Sequence, residues 1–189
     1  MGATLSSNIF HWFKDHAGEL QIEKVIDVDA IDVADFPVPM PGLITDILIS
    51  MDDKYLYFSN WLHGDLRQYD ISDPSTPKLT GQVWIGGLLG KAPEVNGRTV
   101  DGAPQMIQLS LDGKRLYVTT SLFSTWDNQF YPSMKDKGGI MLIVDCDTQK
   151  GGMSIREDFH VDFGEEPNGP ARAHETRYPG GDCSSDIWV

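Results

Sequence analysis

Cysteine is nearly absent. The chain has two, Cys146 and Cys183, in 189 residues, which excludes a disulfide framework and makes a reducing cytosol the default setting. Basic residues are scarce as well, 15 against 28 acidic, for a net charge of −13. That balance argues against nucleic acid and anionic membrane surfaces as partners. No apolar run reaches the roughly 18 residues that a membrane-crossing helix needs. The opening Met1-Gly2-Ala3-Thr4-Leu5 lacks the basic stretch and apolar core of a secretory leader. Met1-Gly2 with Ser6 fits a bare myristoylation pattern, weighed against an ordinary or truncated start. There is no phosphate-binding loop, paired zinc motif or nucleophile elbow.

What is present is a repeat. Ile49-Ser50-Met51-Asp52-Asp53-Lys54-Tyr55-Leu56-Tyr57-Phe58 returns as Leu109-Ser110-Leu111-Asp112-Gly113-Lys114-Arg115-Leu116-Tyr117-Val118, an offset of 60 residues. A fixed period of this size marks radial or stacked architectures. The spacing predicts strands near 43–50, 54–60, 65–71 and 78–85, and again near 104–110, 114–120, 139–146 and 153–162, all rich in Tyr, Phe, Val, Ile and Leu. Asp73-Pro74-Ser75-Thr76-Pro77 reads as a turn, and 123–138 as a longer loop carrying Trp126, Phe130 and Tyr131. Hydrophobic residues are 40%, enough for a folded core.

Four-stranded antiparallel units without helical periodicity predict an all-β fold built of β-propeller blades. The blades fall at 42–86 and 102–164, with the outer half of another at 5–28 and the innermost strand of a further one at 182–189. Closure takes about four to eight blades, so the chain reads as an incomplete arc of about three within a larger, C-terminal portion of a propeller.

Blade topology puts the second-to-third strand loop and the blade-to-blade connection on one face. His63, His174, Asp182 and Cys183 fall there, whereas His11, His16 and His160 lie on or near outer strands. His63, beside Gly64 and Asp65, suits metal ligation with Asp65 fixing the imidazole tautomer; the alternative is a loop histidine bonded to a backbone carbonyl. His174 reads either as a second candidate on this face or as a structural hydrogen bond. Cys183 is a candidate thiolate for a soft metal or a selenium or sulfur species, or a small inert thiol. Cys146, within Ile143-Val144-Asp145-Cys146-Asp147, reads as structural, and the tryptophans as packing.

Longer runs carry a resemblance. Leu43-Ile44-Thr45-Asp46-Ile47, the stretch from Tyr57 through Trp61-Leu62-His63-Gly64-Asp65 to Asp73-Pro74, Gln105 to Tyr117, Trp126-Asp127-Asn128-Gln129-Phe130-Tyr131-Pro132, and the tail from His174 through Gly181-Asp182-Cys183 to Trp188 resemble the selenium-binding protein family, grouped with methanethiol oxidase. The resemblance implies a propeller of about seven blades. It implies copper-dependent conversion of methanethiol, O₂ and water to formaldehyde, hydrogen sulfide and hydrogen peroxide, covalent or tight selenium association, and a part in Golgi protein transport. It implies a cytosolic protein, with nuclear and peripheral-membrane presence. His63 would be a copper ligand and, with Asp65, a catalytic residue; the remaining ligands and blades would come from the rest of a parent chain. Relative to the family, Gly86–Asp101 is shortened. The competing readings are a non-catalytic selenium-binding or transport factor and an inactive short isoform.

Overall fold

The computed structural model describes residues 1–34 and 36–178. The element order is β1 (Gly2–Ala3), β2 (Asn8–Lys14), β3 (Leu20–Asp27), β4 (Ile44–Ile49), β5 (Tyr55–Asn60), β6 (Asp65–Asp70), β7 (Lys78–Trp84), β8 (Glu94–Val95), β9 (Arg98–Thr99), β10 (Ile107–Leu109), β11 (Arg115–Thr119), α1 (Ser124–Phe130), α2 (Met134–Lys137), β12 (Ile140–Cys146) and β13 (Met153–Asp162). These form antiparallel sheets ordered β1-β2-β3, β4-β5-β6-β7 and β10-β11-β12-β13, with a separate β8-β9 hairpin. The two four-stranded meanders are blades of β-propeller type.

The repeat proves to be a turn built twice. Ser50 Oγ donates to Asp52 Oδ1 at 2.6 Å and accepts from Tyr55 N at 2.9 Å. Ser110 Oγ donates to Asp112 Oδ1 at 2.5 Å and accepts from Arg115 N at 3.0 Å. In each, the residue after the aspartate takes a left-handed conformation, Asp53 at φ 56° and Gly113 at φ 71°. Short polar side chains that bond back to the backbone hold such turns, which is why the repeat is legible at these positions.

Packing follows from pleat alternation. Every residue of β5 is buried. Tyr55 and Tyr57 face the core shared with the β10–β13 sheet, among Leu66, Leu109, Leu116, Val118, Leu142 and Val144. Leu56 and Phe58 face the core shared with the β1–β3 sheet, among Ile9, Ile26, Val28 and Ile44. A strand covered on both faces reads as a continuous apolar run, and Tyr55-Leu56-Tyr57-Phe58 is one.

Three features differ from the sequence expectations. The loop after β11 is not plain loop: it folds into α1 and α2, too short for a 3.6-residue period to register. The segment after β7 carries the β8-β9 hairpin, turned by Asn96 (φ 49°) and Gly97 (φ 77°), an Asn-Gly pair suited to two left-handed positions. A two-residue strand, β1, pairs with β2 ahead of the two strands expected there. The strand expected at 182–189 lies outside the described residues.

Candidate functional site

His63 sits in the loop between β5 and β6, fully buried. The preceding segment runs beside it: Trp61 N donates to Leu43 O at 2.9 Å and Leu62 N to Gly42 O at 3.0 Å. His63 Nε2 lies 3.0 Å from Met40 O. A carbonyl only accepts, so Nε2 carries the proton and a neutral ring leaves Nδ1 bare. Nδ1 is buried and has no partner.

Gly64 follows at φ 92°, and a Cβ there would lie 1.9 Å from Gly86 O and 2.6 Å from Gly87 Cα. Gly86 in turn packs on Gly102, and Gly102 on Thr120, at similarly forbidden Cβ distances of 2.1 and 2.3 Å to the carbonyl oxygens. The His63 loop is therefore seated backbone-on-backbone against the connection to the next blade. Gly86-Gly87 is half of that seam.

Asp65 is also fully buried. It accepts from Asn60 Nδ2 at 3.1 Å, Arg67 Nε at 2.8 Å and Gln82 Nε2 at 2.6 Å. The geometry corrects the expectation that Asp65 fixes the His63 tautomer. Met40 O does so, while Asp65, one residue past the glycine, belongs to the start of β6 and closes a polar network across β5, β6 and β7.

The neighbouring blade reaches over this loop. Tyr131 OH donates to Trp61 O at 2.7 Å, and burial pushes its phenol well above the ordinary value, so it stays a donor. The Trp61 ring meets Phe130 and Tyr131 edge-on at centroid distances of 5.2 and 5.0 Å. Asp127 anchors α1: its carboxylate accepts from Ser121 Oγ at 2.6 Å and Leu122 N at 3.2 Å. Burial lifts its pKa above the usual range despite those bonds. Arg172 approaches Asp127 at 3.6 Å and donates to Asn128 Oδ1 at 2.8 Å.

His174 is exposed and its Nδ1 lies 2.6 Å from Leu122 O, with its own carbonyl accepting from Thr119 Oγ1 at 2.6 Å. It thus lies at the same end of the blades as the His63 loop, tied to backbone. Asp182 and Cys183 lie outside the described residues. Cys146 is buried, and burial pushes its thiol up to about 12, an unreactive group. Sequence reasoning missed Met40, Tyr131, Asp127 and Arg172; the aromatic density of 126–131 was the one signal for them.

Copper(II) favours several imidazoles in a tetragonal set. Among the described residues no group of three His, Cys, Asp or Glu is placed to hold a metal. His63 Nδ1 is a fitting single donor, but the described residues do not by themselves make a copper site.

Fold and loops together define a portion of a β-propeller with a buried histidine loop clamped between blades. The comparisons with known proteins are specific. The model of the 56kDa selenium binding protein (SBP56) family matches residues 1–189, and the chain belongs to that family. It is 58% identical over 207 aligned positions to the human protein named methanethiol oxidase, covering 100% of this chain and 44% of that protein. It is 54% identical to selenium-binding protein 1 of Arabidopsis thaliana, covering 100% of the chain and 42% of that protein. The X-ray structure of a hypothetical selenium-binding protein from Sulfolobus tokodaii superposes with a TM-score of 0.82 at 45% identity, over 98% of this chain and 40% of that one. The chain thus spans less than half the length of these relatives.

Proposed function

We propose that the polypeptide represented by this chain is a thiol oxidase acting on methanethiol, with O₂ as acceptor and water as co-reactant, yielding formaldehyde, hydrogen sulfide and hydrogen peroxide. The observation that carries this is 58% identity along the whole chain to a protein named methanethiol oxidase. In this reading the chain contributes the His63 loop. The bare Nδ1, held in one tautomer by Met40 O, is available to a ligand or a proton, and Gly64 fixes where it points. Asp65 keeps the end of the loop in register. Copper is carried into the proposal by the family resemblance alone, and its other ligands would lie outside the described residues. The setting is cytosolic, with nuclear and peripheral-membrane presence, and the remaining blades come from outside this span.

The test is oxygen uptake and peroxide release on adding methanethiol to the longer polypeptide and to this chain. Uptake by the longer form that disappears with His63→Ala, with the fold retained, supports the reading. Full activity in that variant removes His63 from the chemistry.

A second reading, selenium carriage without turnover and with a transport role, is favoured by the relative named selenium-binding protein 1. Cys146 is too deeply buried and too weakly acidic to react, which leaves Cys183. Selenium label that survives denaturation and is lost in Cys183→Ser supports this reading; label kept in that variant excludes the site.

A further inference from the structure

Two buried residues beside the His63 loop hold a backbone conformation that their side chains disfavour. Among the described residues four non-glycines have positive φ. Asp53 and Asn96 stand in exposed turns and are of the types that visit this region readily. Ser7 at φ 55° and Leu43 at φ 58° do not share that setting. They are 1% and 4% exposed, and a side chain as bulky as leucine makes this region a true outlier. The two are joined. Leu43 N donates to Ser7 Oγ at 3.0 Å, and Ser7 is held in turn by Val28 N, which donates to its carbonyl at 3.0 Å.

What the strained pair supports is the surface that receives the histidine. Trp61 N, Leu62 N and His63 Nε2 reach Leu43 O, Gly42 O and Met40 O in turn, at 2.9, 3.0 and 3.0 Å. Successive residues of the loop are thus matched by one short stretch, 40–43. Met40 O also accepts from Ile31 N at 2.9 Å, and Met40 N donates back to Ile31 O at 2.8 Å, so both lone pairs of that carbonyl are engaged. A Cβ on Gly42 would lie 2.7 Å from Asn60 Oδ1, so the stretch is seated directly on the residue before Trp61. Turning Leu43 to a negative φ rotates the peptide between Gly42 and Leu43 against the chain beyond it. Gly42 O and Leu43 O could not then both keep their donors, and Met40 O would shift from the ring. Backbone strain persists only where its surroundings over-determine it, and it clusters at sites of function. Here the Ser7 hydroxyl is the group that meets the strained amide.

We propose that Ser7 and Leu43 are positioning residues for His63. Ser7 Oγ holds Leu43 left-handed, and Leu43 sets the carbonyls of 40–43. Met40 O then keeps the proton on Nε2 and leaves Nδ1 bare. Both residues act only through the ring. The consequence for turnover rests on the thiol-oxidase reading, whereas the tautomer does not.

NMR of isotope-labelled histidine ring nitrogens tests it, on this chain for the tautomer, with turnover read on the longer polypeptide. The unaltered ring shows one protonated nitrogen, Nε2, and one bare, Nδ1. Ser7→Ala removes the acceptor. Ser7→Gly removes it too but relieves the left-handed strain at residue 7, and so keeps the fold where Ser7→Ala does not. In either variant the ring becomes a mixture, with the Nδ1-protonated form rising to about a tenth or more, the factor that one weakened hydrogen bond supplies. Ser50→Ala, which strips another buried serine of a backbone partner, leaves the ring as it was. A single, unchanged tautomer in Ser7→Gly overturns the proposal, and so does an equal change in Ser50→Ala. In the longer polypeptide kcat for methanethiol falls by the fraction of rings lost, with KM unchanged; mixed rings with full kcat overturn the positioning role. Failure of the oxidase reading looks different, because His63→Ala itself then keeps full turnover.

Discussion

Replacing Gly64 by alanine probes the seat of the His63 loop. Two costs arise. At φ 92° an L-residue occupies a sparsely allowed region, at about 1–3 kcal/mol. The new Cβ would also lie 1.9 Å from the Gly86 carbonyl oxygen and 2.3 Å from its carbon. Those atoms are backbone and cannot swing aside, so the seam must open, an overpacking cost of about 1–3 kcal/mol. The sum, about 2–6 kcal/mol, is a large part of the roughly 5–15 kcal/mol that holds a domain folded. Urea unfolding followed by tryptophan fluorescence reads it, because buried Trp61 reports on this loop. With a slope of about 2 kcal/mol/M the midpoint falls by about 1–3 M. A loss under about 1 kcal/mol with an unchanged slope would refute the backbone-on-backbone account.

Other consequences are sharp enough to measure. Asp53→Gly relieves the left-handed strain at φ 56° that its counterpart Gly113 does not feel, and should raise stability by about 0.5–1 kcal/mol in the same assay. Tyr131→Phe leaves the buried Trp61 carbonyl without its donor and should cost about 1–3 kcal/mol, whereas Gln129→Ala on exposed α1 surface should be near neutral. Cys146 ionises at about 12 when folded against an ordinary 9.0. The unfolded chain therefore loses that proton first, and stability falls as pH rises from about 9 towards 12. Tyr57, raised by burial, adds to the same limb; Cys146→Ala should flatten the thiol part of the slope, and an unchanged alkaline profile would contradict it.

Much of the fold was legible because its signals are local. The Ser-x-Asp turn names itself through side chains that bond within five residues, and β5 shows its two-sided burial as an unbroken apolar run. The Val95-Asn96-Gly97-Arg98 hairpin carried an equally local signal that the strand pattern overshadowed. The His63 loop was singled out by residue type, and the alternative of a carbonyl-bonded histidine holds at Nε2. Its partners were not legible: Met40 is 23 residues away and acts through backbone, and Tyr131 reaches Trp61 from 70 residues away. Asp65 stands next to the glycine in sequence, yet the pleat turns it into the sheet, towards Arg67 and Gln82.

The glycine seam has a practical corollary. Gly87 N donates to Gly102 O at 3.0 Å, so the chain leaves one blade and enters the next through one closed gate. Everything between is an excursion whose ends are already joined, and lengthening such an excursion costs only logarithmically, about 0.6 kcal/mol per doubling. The relatives align over 207 positions to these 189 residues, so the family accommodates extra length somewhere along this span. The tip at Asn96-Gly97 is accordingly a place to graft an epitope or a fluorophore-binding peptide, giving a handle on the protein that leaves the histidine loop untouched.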